Sequence, residues 1–211
     1  MKEINYLEQL IEEYPALAPC KDGIHRAYEM LCVTYRQGNK LLVCGNGGSG
    51  ADAEHIVGEL MKEFYIRRPI KPERKAALEA YGEDGKILGE HLQEALPAIT
   101  LTSNIALSTA YANDAKPELV FAQQVYGYGA EGDVLLGIST SGNSKNVIYA
   151  LKTAKAKGMK TLGFTGRSGG ALKELCDVCI CAPSDITYKI QEYHLPIYHT
   201  LCRMVEEVFF G

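Results

Sequence analysis

Short runs of apolar residues alternate along the chain with longer stretches in which apolar positions recur every three or four residues. The short runs are typical of parallel strands buried on both faces, and the longer spacing is typical of helices. The runs predict strands at residues 40–44, 97–101, 133–138, 160–164 and 178–181. Strands that alternate with helices predict an α/β fold, a three-layer αβα sandwich with a five-stranded parallel sheet.

Helical spacing also predicts two helices before the first strand, over residues 2–18 and 22–37, and a final helix over 189–209. Residues 67–94 are rich in Lys, Glu and Gly and have few apolar residues, which predicts one or two short exposed helices. We therefore expect one domain across residues 1–211, with N-terminal helices in 1–38 and a helical insertion at 67–94.

The 211 residues carry a net charge of −4 without a basic block, which argues against nucleic acid or an anionic membrane as the main partner. No apolar run approaches the roughly 20 residues that span a bilayer. The first residues lack the apolar centre of a signal peptide. We expect a cytoplasmic protein.

Seven cysteines, an odd number, argue against a disulfide framework. Cys176, Cys179 and Cys181 contain a C-x-x-C spacing that could hold a metal ion. Cys179 and Cys181 also fall on the predicted fifth strand, and a second cysteine pair at zinc spacing is missing. We favour the strand interpretation over a metal site.

Two turns rich in glycine or hydroxyl groups follow predicted strands, and each leads into a helix. They are Gly45-Asn46-Gly47-Gly48-Ser49-Gly50 and Ser139-Thr140-Ser141-Gly142-Asn143-Ser144. Ligands of open α/β sheets lie at the carboxyl ends of the strands, where helix N-termini attract anions. One helix cap needs one hydroxyl, and the second turn offers four. The pattern predicts a phosphate site; the G-x-G-x-x-G match in the first turn is weak evidence for a dinucleotide.

Three side chains on predicted helices could carry chemistry near such a phosphate. His55 and Glu59 are four residues apart and share one face of the helix that begins at the first turn, and His199 lies on the last helix. A His–Glu pair at this spacing is often only a surface hydrogen bond. Its position beside the predicted phosphate turn favours a functional role.

The motifs resemble those of the phosphoheptose isomerases, a family of sugar-isomerase (SIS) domain proteins. The matching segments are Cys44 to Ser49, Asp52-Ala53-x-His55-x-x-x-Glu59-Leu60, Gly132 to Ser144, Asn113-Asp114, and Gln191-Glu192-x-His194 followed by His199. The resemblance implies a flavodoxin-like sheet. It also implies interconversion of sedoheptulose 7-phosphate and D-glycero-D-manno-heptose 7-phosphate, the first step towards nucleotide-activated heptose.

The resemblance assigns roles to single residues. Glu59 is expected to be the base that moves a proton between C1 and C2, and His199 its acid–base partner. Zinc, which some members hold, is expected on His55, Glu59, Gln191 and His199. The substrate is expected to contact Asn46, Gly47, Gly48, Ser49, Asn104, Asn113, Asp114, Ser139, Thr140, Ser141, Ser144 and Gln191. The family is usually tetrameric, with sites between subunits, so a homotetramer is expected.

Other interpretations stay open at this point. Asn104 and Glu63 stand where enterobacterial members have an aspartate and an arginine. Residues 67–94 form an insertion that is much longer than the corresponding connection in those members. These departures leave open an isomerase of another ketose phosphate. A non-catalytic phosphosugar-binding protein, like a relative that associates with the replication initiator, is a second alternative. That relative has lost its catalytic residues, whereas Glu59 and His199 are both present here.

Overall fold

The computed structural model describes residues 5–211 and contains a parallel sheet of five strands. The strands are β1 (Leu41–Gly45), β2 (Ala98–Thr100), β3 (Val134–Ile138), β4 (Lys160–Thr165) and β5 (Val178–Cys181). Their order across the sheet is β2-β1-β3-β4-β5, and every neighbouring pair is parallel. The predicted α/β class is confirmed, and the order is that of the flavodoxin-like doubly wound folds.

Ten α-helices lie in the described part of the chain. They are α1 (Tyr6–Glu13), α2 (Lys21–Arg36), α3 (Gly48–Met61), α4 (Pro72–Leu78), α5 (Gly82–His91), α6 (Ile105–Asp114), α7 (Val120–Tyr128), α8 (Lys145–Ala156), α9 (Leu172–Leu175) and α10 (Thr187–Phe210). Short 3-10 turns occupy Pro15–Cys20, Glu79–Tyr81 and Pro117–Leu119. None of these helices combines the length and apolar character needed to cross a membrane.

The first helix is shorter than the sequence pattern predicts. It ends at Glu13, and a 3-10 turn starts at Pro15. Proline disfavours the helical conformation of the residue before it, and Tyr14 accordingly leaves the helix with φ −128° and ψ 74°. Residues 2–4 of the predicted range lie outside the described residues.

Two apolar layers enclose the sheet. On one face, Val43 of β1 and Leu136 of β3 belong to a core that also includes residues of α2, α3 and α10. On the other face, Leu42 and Leu135 belong to a core with residues of α7, α8 and α9. Neighbouring residues of each strand therefore serve opposite layers, which explains the continuous apolar runs in the sequence.

The register of the sheet places the two glycine- and hydroxyl-rich turns side by side. Gly45 at the end of β1 pairs with Ile138 at the end of β3. Both turns therefore leave the sheet at the same edge, as the sequence predicts for neighbouring parallel strands.

The segment 67–94 folds into a helical hairpin with a narrow base. α4 has no buried residue, and α5 buries only Gly85 and Gly89. A side chain at Gly85 would meet the backbone of Leu78, so the two helices of the hairpin pack backbone against backbone. An antiparallel bridge between Pro69 and Gln93 closes the base. The hairpin agrees with the predicted short exposed helices, and its status as an insertion stays a prediction.

Candidate active site

The turn between β1 and α3 exposes backbone groups at the edge of the sheet. Gly47 has a φ of +53°, a conformation that L side chains rarely adopt. α3 begins at Gly48, and Ser49 in its first turn is buried. The N–H groups of Ser49, Gly50 and Ala51 donate to the carbonyls of Asn46 and Gly47, while those of Gly47 and Gly48 have no backbone partner among the described residues and can face an anion. This turn is therefore suited to a phosphate group.

The loop between β3 and α8 gathers the predicted hydroxyl groups. Oγ of Ser139 lies 2.9 Å from Oγ of Ser144 and 3.5 Å from Oγ of Ser141. Thr140 is fixed through its backbone, because its carbonyl accepts the N–H of Gly166 at 2.9 Å. The loop thus offers several hydroxyl groups at the start of a helix, an arrangement that can bind phosphate without a cationic side chain.

Two asparagine side chains join the turns. Nδ2 of Asn46 donates to Oδ1 of Asn146 at 3.0 Å, and Nδ2 of Asn146 donates back to Oδ1 of Asn46 at 2.8 Å. Beside this pair lies an open cleft of about 540 Å³ that Thr102 and Pro117 also line. Sequence reasoning missed Asn146, although it follows the hydroxyl run by two residues.

A second group of side chains lies further along α3. Nε2 of His55 is 3.1 Å from Oε1 of Glu59 and 3.4 Å from Nε2 of His199 on α10. Nζ of Lys62 donates to Oε2 of Glu59 at 3.1 Å. The Glu59 side chain is only 13% exposed, so the protein holds both of its carboxylate oxygens in a defined direction. The structure brings together the two residues predicted to be catalytic.

Tyr198 and Asp52 lie next to this group, where Oη of Tyr198 contacts both Asp52 and His55. Oη of Tyr198 lies 2.9 Å from Nδ1 of His55, which leaves Nε2 of that ring facing Glu59. Burial raises the pKa of Asp52 to about 6, and its Oδ2 has no hydrogen-bond partner among the described residues. Sequence reasoning missed Tyr198, because the pattern of a buried tyrosine on a helix indicates only a core position.

The pKa of His199 is lowered by partial burial and by the neighbouring His55 ring, with Glu59 acting in the opposite direction. A lowered pKa favours the neutral ring, which can accept a proton at Nε2. His194, one turn earlier on α10, is different. Burial lowers its pKa to about 4, and its Nε2 lies 3.1 Å from the carbonyl oxygen of Thr165. His194 is a structural residue that joins α10 to β4.

Gln191 lies at the other end of the site. A side chain at Gly48 would stand 2.5 Å from Nε2 of Gln191, so the amide packs directly on the first residue of α3. Eight residues of α10 separate Gln191 from His199, about 12 Å along the helix axis. This chain therefore places Gln191 beside the phosphate turn and away from His55 and Glu59.

A metal ion fits this arrangement only in part. Ligands of a tetrahedral zinc ion at Zn–N distances of ~2.0–2.1 Å lie roughly 3.3 Å apart. The distances from His55 Nε2 to Glu59 and His199 match that spacing. Among the described residues, however, no group of three or more His, Cys, Asp or Glu side chains has the arrangement of a metal site. Gln191 is too distant to join the other expected ligands.

Three predicted substrate residues lie outside both groups. Asn104 caps α6, where its Oδ1 accepts the N–H of Leu107 at 3.1 Å. Asn113 and Asp114 are exposed at the end of α6 and hydrogen bond to each other at 2.9 Å. No residue of α6 is buried. These hydrogen bonds are local to α6, although Ser108 of that helix lines the cleft beside Asn46 and Gly47.

Comparison with known proteins identifies the family of this chain. The SIS domain model matches residues 5–94 and 74–166. Phosphoheptose isomerase of Akkermansia muciniphila is 35% identical over 98% of this chain and 96% of its own length. Phosphoheptose isomerase 2 of Campylobacter jejuni is 44% identical over 84% of this chain and 76% of its own length.

Solved structures give the same result. The phosphoheptose isomerase of Neisseria gonorrhoeae has a TM-score of 0.72 and 32% identity, covering 95% of this chain and 91% of its own. That of Francisella tularensis has the same TM-score and 34% identity, over 95% and 92%. With a matched domain, relatives over nearly its full length and the shared fold, this chain belongs to the phosphoheptose isomerase family of SIS domain proteins.

Proposed function

We propose that this protein interconverts sedoheptulose 7-phosphate and D-glycero-D-manno-heptose 7-phosphate, the first step towards nucleotide-activated heptose. One observation carries the proposal: α3 begins at a turn suited to phosphate and holds an oriented carboxylate, Glu59, beside the ring of His199. An aldose–ketose isomerase needs such a base and an anchor for the distant phosphate.

Proton transfer then follows from the positions of two side chains. The Glu59 carboxylate takes the proton from C1 of the open-chain ketose, and the C–H electrons form a C1=C2 double bond as O2 becomes an enediolate oxygen. His199 exchanges protons with O1 and O2, so that the carbonyl moves to C1. Glu59 returns its proton to C2, which gives the aldose. His55 and Lys62 each contact one oxygen of Glu59 and keep the carboxylate in place.

The phosphate supplies orientation, because binding energy far from the reacting carbons holds them against the base. We assign this role to the backbone of the β1–α3 turn and to the hydroxyl groups of Ser139, Ser141 and Ser144. Ser49 and Glu59 are ten residues apart, about 15 Å along α3. Only an extended ligand, or the turn of another subunit, brings phosphate and base together.

We propose zinc as a cofactor held by His55, Glu59 and His199. A zinc ion there would polarise the sugar carbonyl as a Lewis acid. Gln191 completes this set only if it comes from a second copy of the chain, because Gln191 of the same chain packs on Gly48.

A homotetramer that works in the cytoplasm completes the proposal. Helix α6 supports assembly, because it is largely apolar and has no buried residue, with Ile105 72% exposed. A second copy that covers this helix would also enclose Asn113 and Asp114, the predicted substrate residues that this chain leaves exposed.

The oligomer is tested at Ile105. Replacing Ile105 with Asp puts a charge on the face that a second copy would bury, so the tetramer should dissociate into smaller species. Sedimentation velocity of wild type and Ile105→Asp at equal concentration measures this change. Val33→Asp, at another exposed apolar position (51%), is the matched control. An Ile105→Asp protein that keeps the wild-type sedimentation would remove α6 from the interface.

The reaction is tested by NMR on purified protein with sedoheptulose 7-phosphate, with and without zinc. We expect the aldose to form, and turnover to fall by roughly 10²–10⁴-fold in Glu59→Gln, the range of a lost general base. Glu29→Gln, which removes the carboxylate of the comparable i,i+4 pair of His25 and Glu29 on α2, is the matched control. Protein that binds the sugar phosphate without forming product would indicate another ketose substrate or a binding role.

A further inference from the structure

The carboxylate of Glu206, near the end of α10, is fully buried and accepts several hydrogen bonds. Its Oε1 accepts the N–H of Phe64 at 2.9 Å and Nε of Arg68 at 2.8 Å, and its Oε2 accepts the N–H of Tyr65 at 2.8 Å. Nη2 of Arg68 lies 2.7 Å from Oε1, and both side chains have an exposure of 0%. The hydrogen bonds that this carboxylate accepts among the described residues all come from the segment that follows α3.

The guanidinium of Arg68 reaches past Glu206 to the end of α3. Nη1 donates to the carbonyl oxygen of Leu60 at 2.8 Å, and Nη2 donates to the carbonyl oxygen of Glu59 at 3.3 Å. The last carbonyls of a helix have no partner within it, and a cation there is favoured by the helix dipole. The ring of Phe210 covers the guanidinium at 4.6 Å. Arg68 thus caps α3 at the residue that carries the base.

This contact joins the two helices of the active site through their ends. Glu59 belongs to α3, and Glu206 lies two helical turns after His199 on α10, on the same stripe of that helix. Nη2 of Arg68 lies between the backbone carbonyl of Glu59 and Oε1 of Glu206, and Nε donates to the same Oε1, while Nη1 donates to the carbonyl of Leu60. This guanidinium therefore adds a polar link between the ends of the two helices, besides the contact of Tyr198 with His55.

Stability alone gives a poor account of this pair. Taking two charges out of water is costly, and apolar residues of similar volume often replace a buried ion pair without loss of stability. An apolar pair would, however, leave the carbonyls of Glu59 and Leu60 and the N–H groups of Phe64 and Tyr65 without these partners. The ion pair supplies charged hydrogen-bond partners that hold these backbone groups in a fixed geometry.

We propose that Arg68 and Glu206 are positioning residues that set the distance between Glu59 and His199. The proposal rests on the proposed roles of those two residues. A displacement of the base by about 1 Å can cost roughly a hundredfold in rate. The phosphate turns lie at the opposite end of α3, so substrate binding should be little affected.

The test uses Arg68→Lys and Glu206→Gln in the full chain, with Arg74→Lys as the matched control. Arg74 lies in the same segment but is 70% exposed and pairs with Glu94 only at 3.7 Å. We expect kcat per folded protein to fall by about ten- to a hundredfold in Arg68→Lys and Glu206→Gln, with KM within about twofold of wild type. Arg74→Lys should retain wild-type values.

A second readout does not need turnover. The ring resonances of 15N-labelled histidines at one fixed pH should move for His55, which touches Glu59, in Arg68→Lys. They should stay in place for His25, which forms a comparable i,i+4 contact with Glu29 on α2 at 3.4 Å. This readout decides the proposal even if wild type does not convert the heptose phosphate, an outcome that would overturn only the proposed function.

Folded variants with wild-type kcat and an unmoved His55 would overturn the proposal, as would a raised KM at constant kcat. If the single variants do not fold, the pair Arg68→Met with Glu206→Leu removes both charges together and takes their place. In that protein, a lower kcat with shifted His55 resonances supports positioning. Wild-type kcat would show that the pair serves the fold alone.

Discussion

α3 and α6 both follow strands of the same sheet, yet one is built into the subunit and the other is not. α3 buries Ala53, Ile56 and Leu60 against the sheet and α10, while α6 buries no residue at all. Both helices carry residues that the family resemblance assigns to the site. The cluster of His55, Glu59 and His199 is therefore assembled within one chain, whereas Asn113 and Asp114 on α6 are exposed.

The contrast teaches that apolar composition does not identify the core of a subunit. Ile105, Ala106, Leu107 and Ala110 of α6 are as apolar as the buried face of α3. A helix face that stays exposed in one chain keeps its apolar surface in water, which is unfavourable unless another surface covers it. A matched pair of substitutions, one in each helix, measures how different the two helices are, and two glycines of α3 extend the series.

The largest effect is expected from a core truncation in α3. Leu60→Ala leaves a cavity and should lower the free energy of unfolding by about 2–5 kcal/mol. Leu107→Ala on α6 removes the same atoms from a half-exposed position and should cost under ~1 kcal/mol in the separated subunit. Denaturant unfolding at two protein concentrations measures both.

The dependence on protein concentration gives a second difference between α3 and α6. If a second copy covers α6, the loss in Leu107→Ala grows with protein concentration, since assembly stabilises the folded state by mass action. The loss in Leu60→Ala should not depend on assembly in this way. Equal losses for the two variants at low concentration would contradict the contrast between the helices.

A smaller effect is expected at the first residue of α3. An alanine side chain at Gly48 would press on Nε2 of Gln191, which must turn away, while the flexible amide spares the fold. We expect Gly48→Ala to reduce kcat/KM by about tenfold, ~1.4 kcal/mol, with little change in melting temperature. Steady-state kinetics and calorimetry separate the two; unchanged kinetics would remove Gln191 from the site.

The smallest effect is expected at Gly58, the matched glycine in the same helix. It is exposed, and an added side chain meets nothing within 4 Å. Gly58→Ala should raise the free energy of unfolding by about 0.5–1 kcal/mol, because glycine is the poorer helix former. The melting temperature should rise by roughly 1–4 °C with kcat unchanged. A loss of stability would mean that this face of α3 is covered.

The strands and the phosphate turns could be predicted from the sequence because each has a local signal. β1 is a short apolar run that ends in glycines, and the Ser139–Ser144 run follows another. Sequence spacing also paired His55 with Glu59. The contact of that pair with His199 depends on how α3 and α10 pack, which no local pattern encodes.

Other features could not be predicted for the same reason. The apolar positions of α6 and α7 show only a weak helical periodicity, so the sequence pattern predicts neither helix. Arg68 reads as an ordinary surface charge beside Arg67, yet it is fully buried because Glu206, far along the chain, meets it in the core. The separation of Gln191 from His55 is likewise a property of the parallel course of α3 and α10.

The helical hairpin after α3 has a consequence for how the family can diversify. The Pro69–Gln93 bridge brings its two ends together, and Gly85 packs it on itself, so the rest of the molecule meets it mainly at its base. The entropic cost of a longer connection between fixed ends grows only slowly with length. Insertions and deletions in this hairpin can therefore be tolerated while the sheet, α3 and α10 stay unchanged.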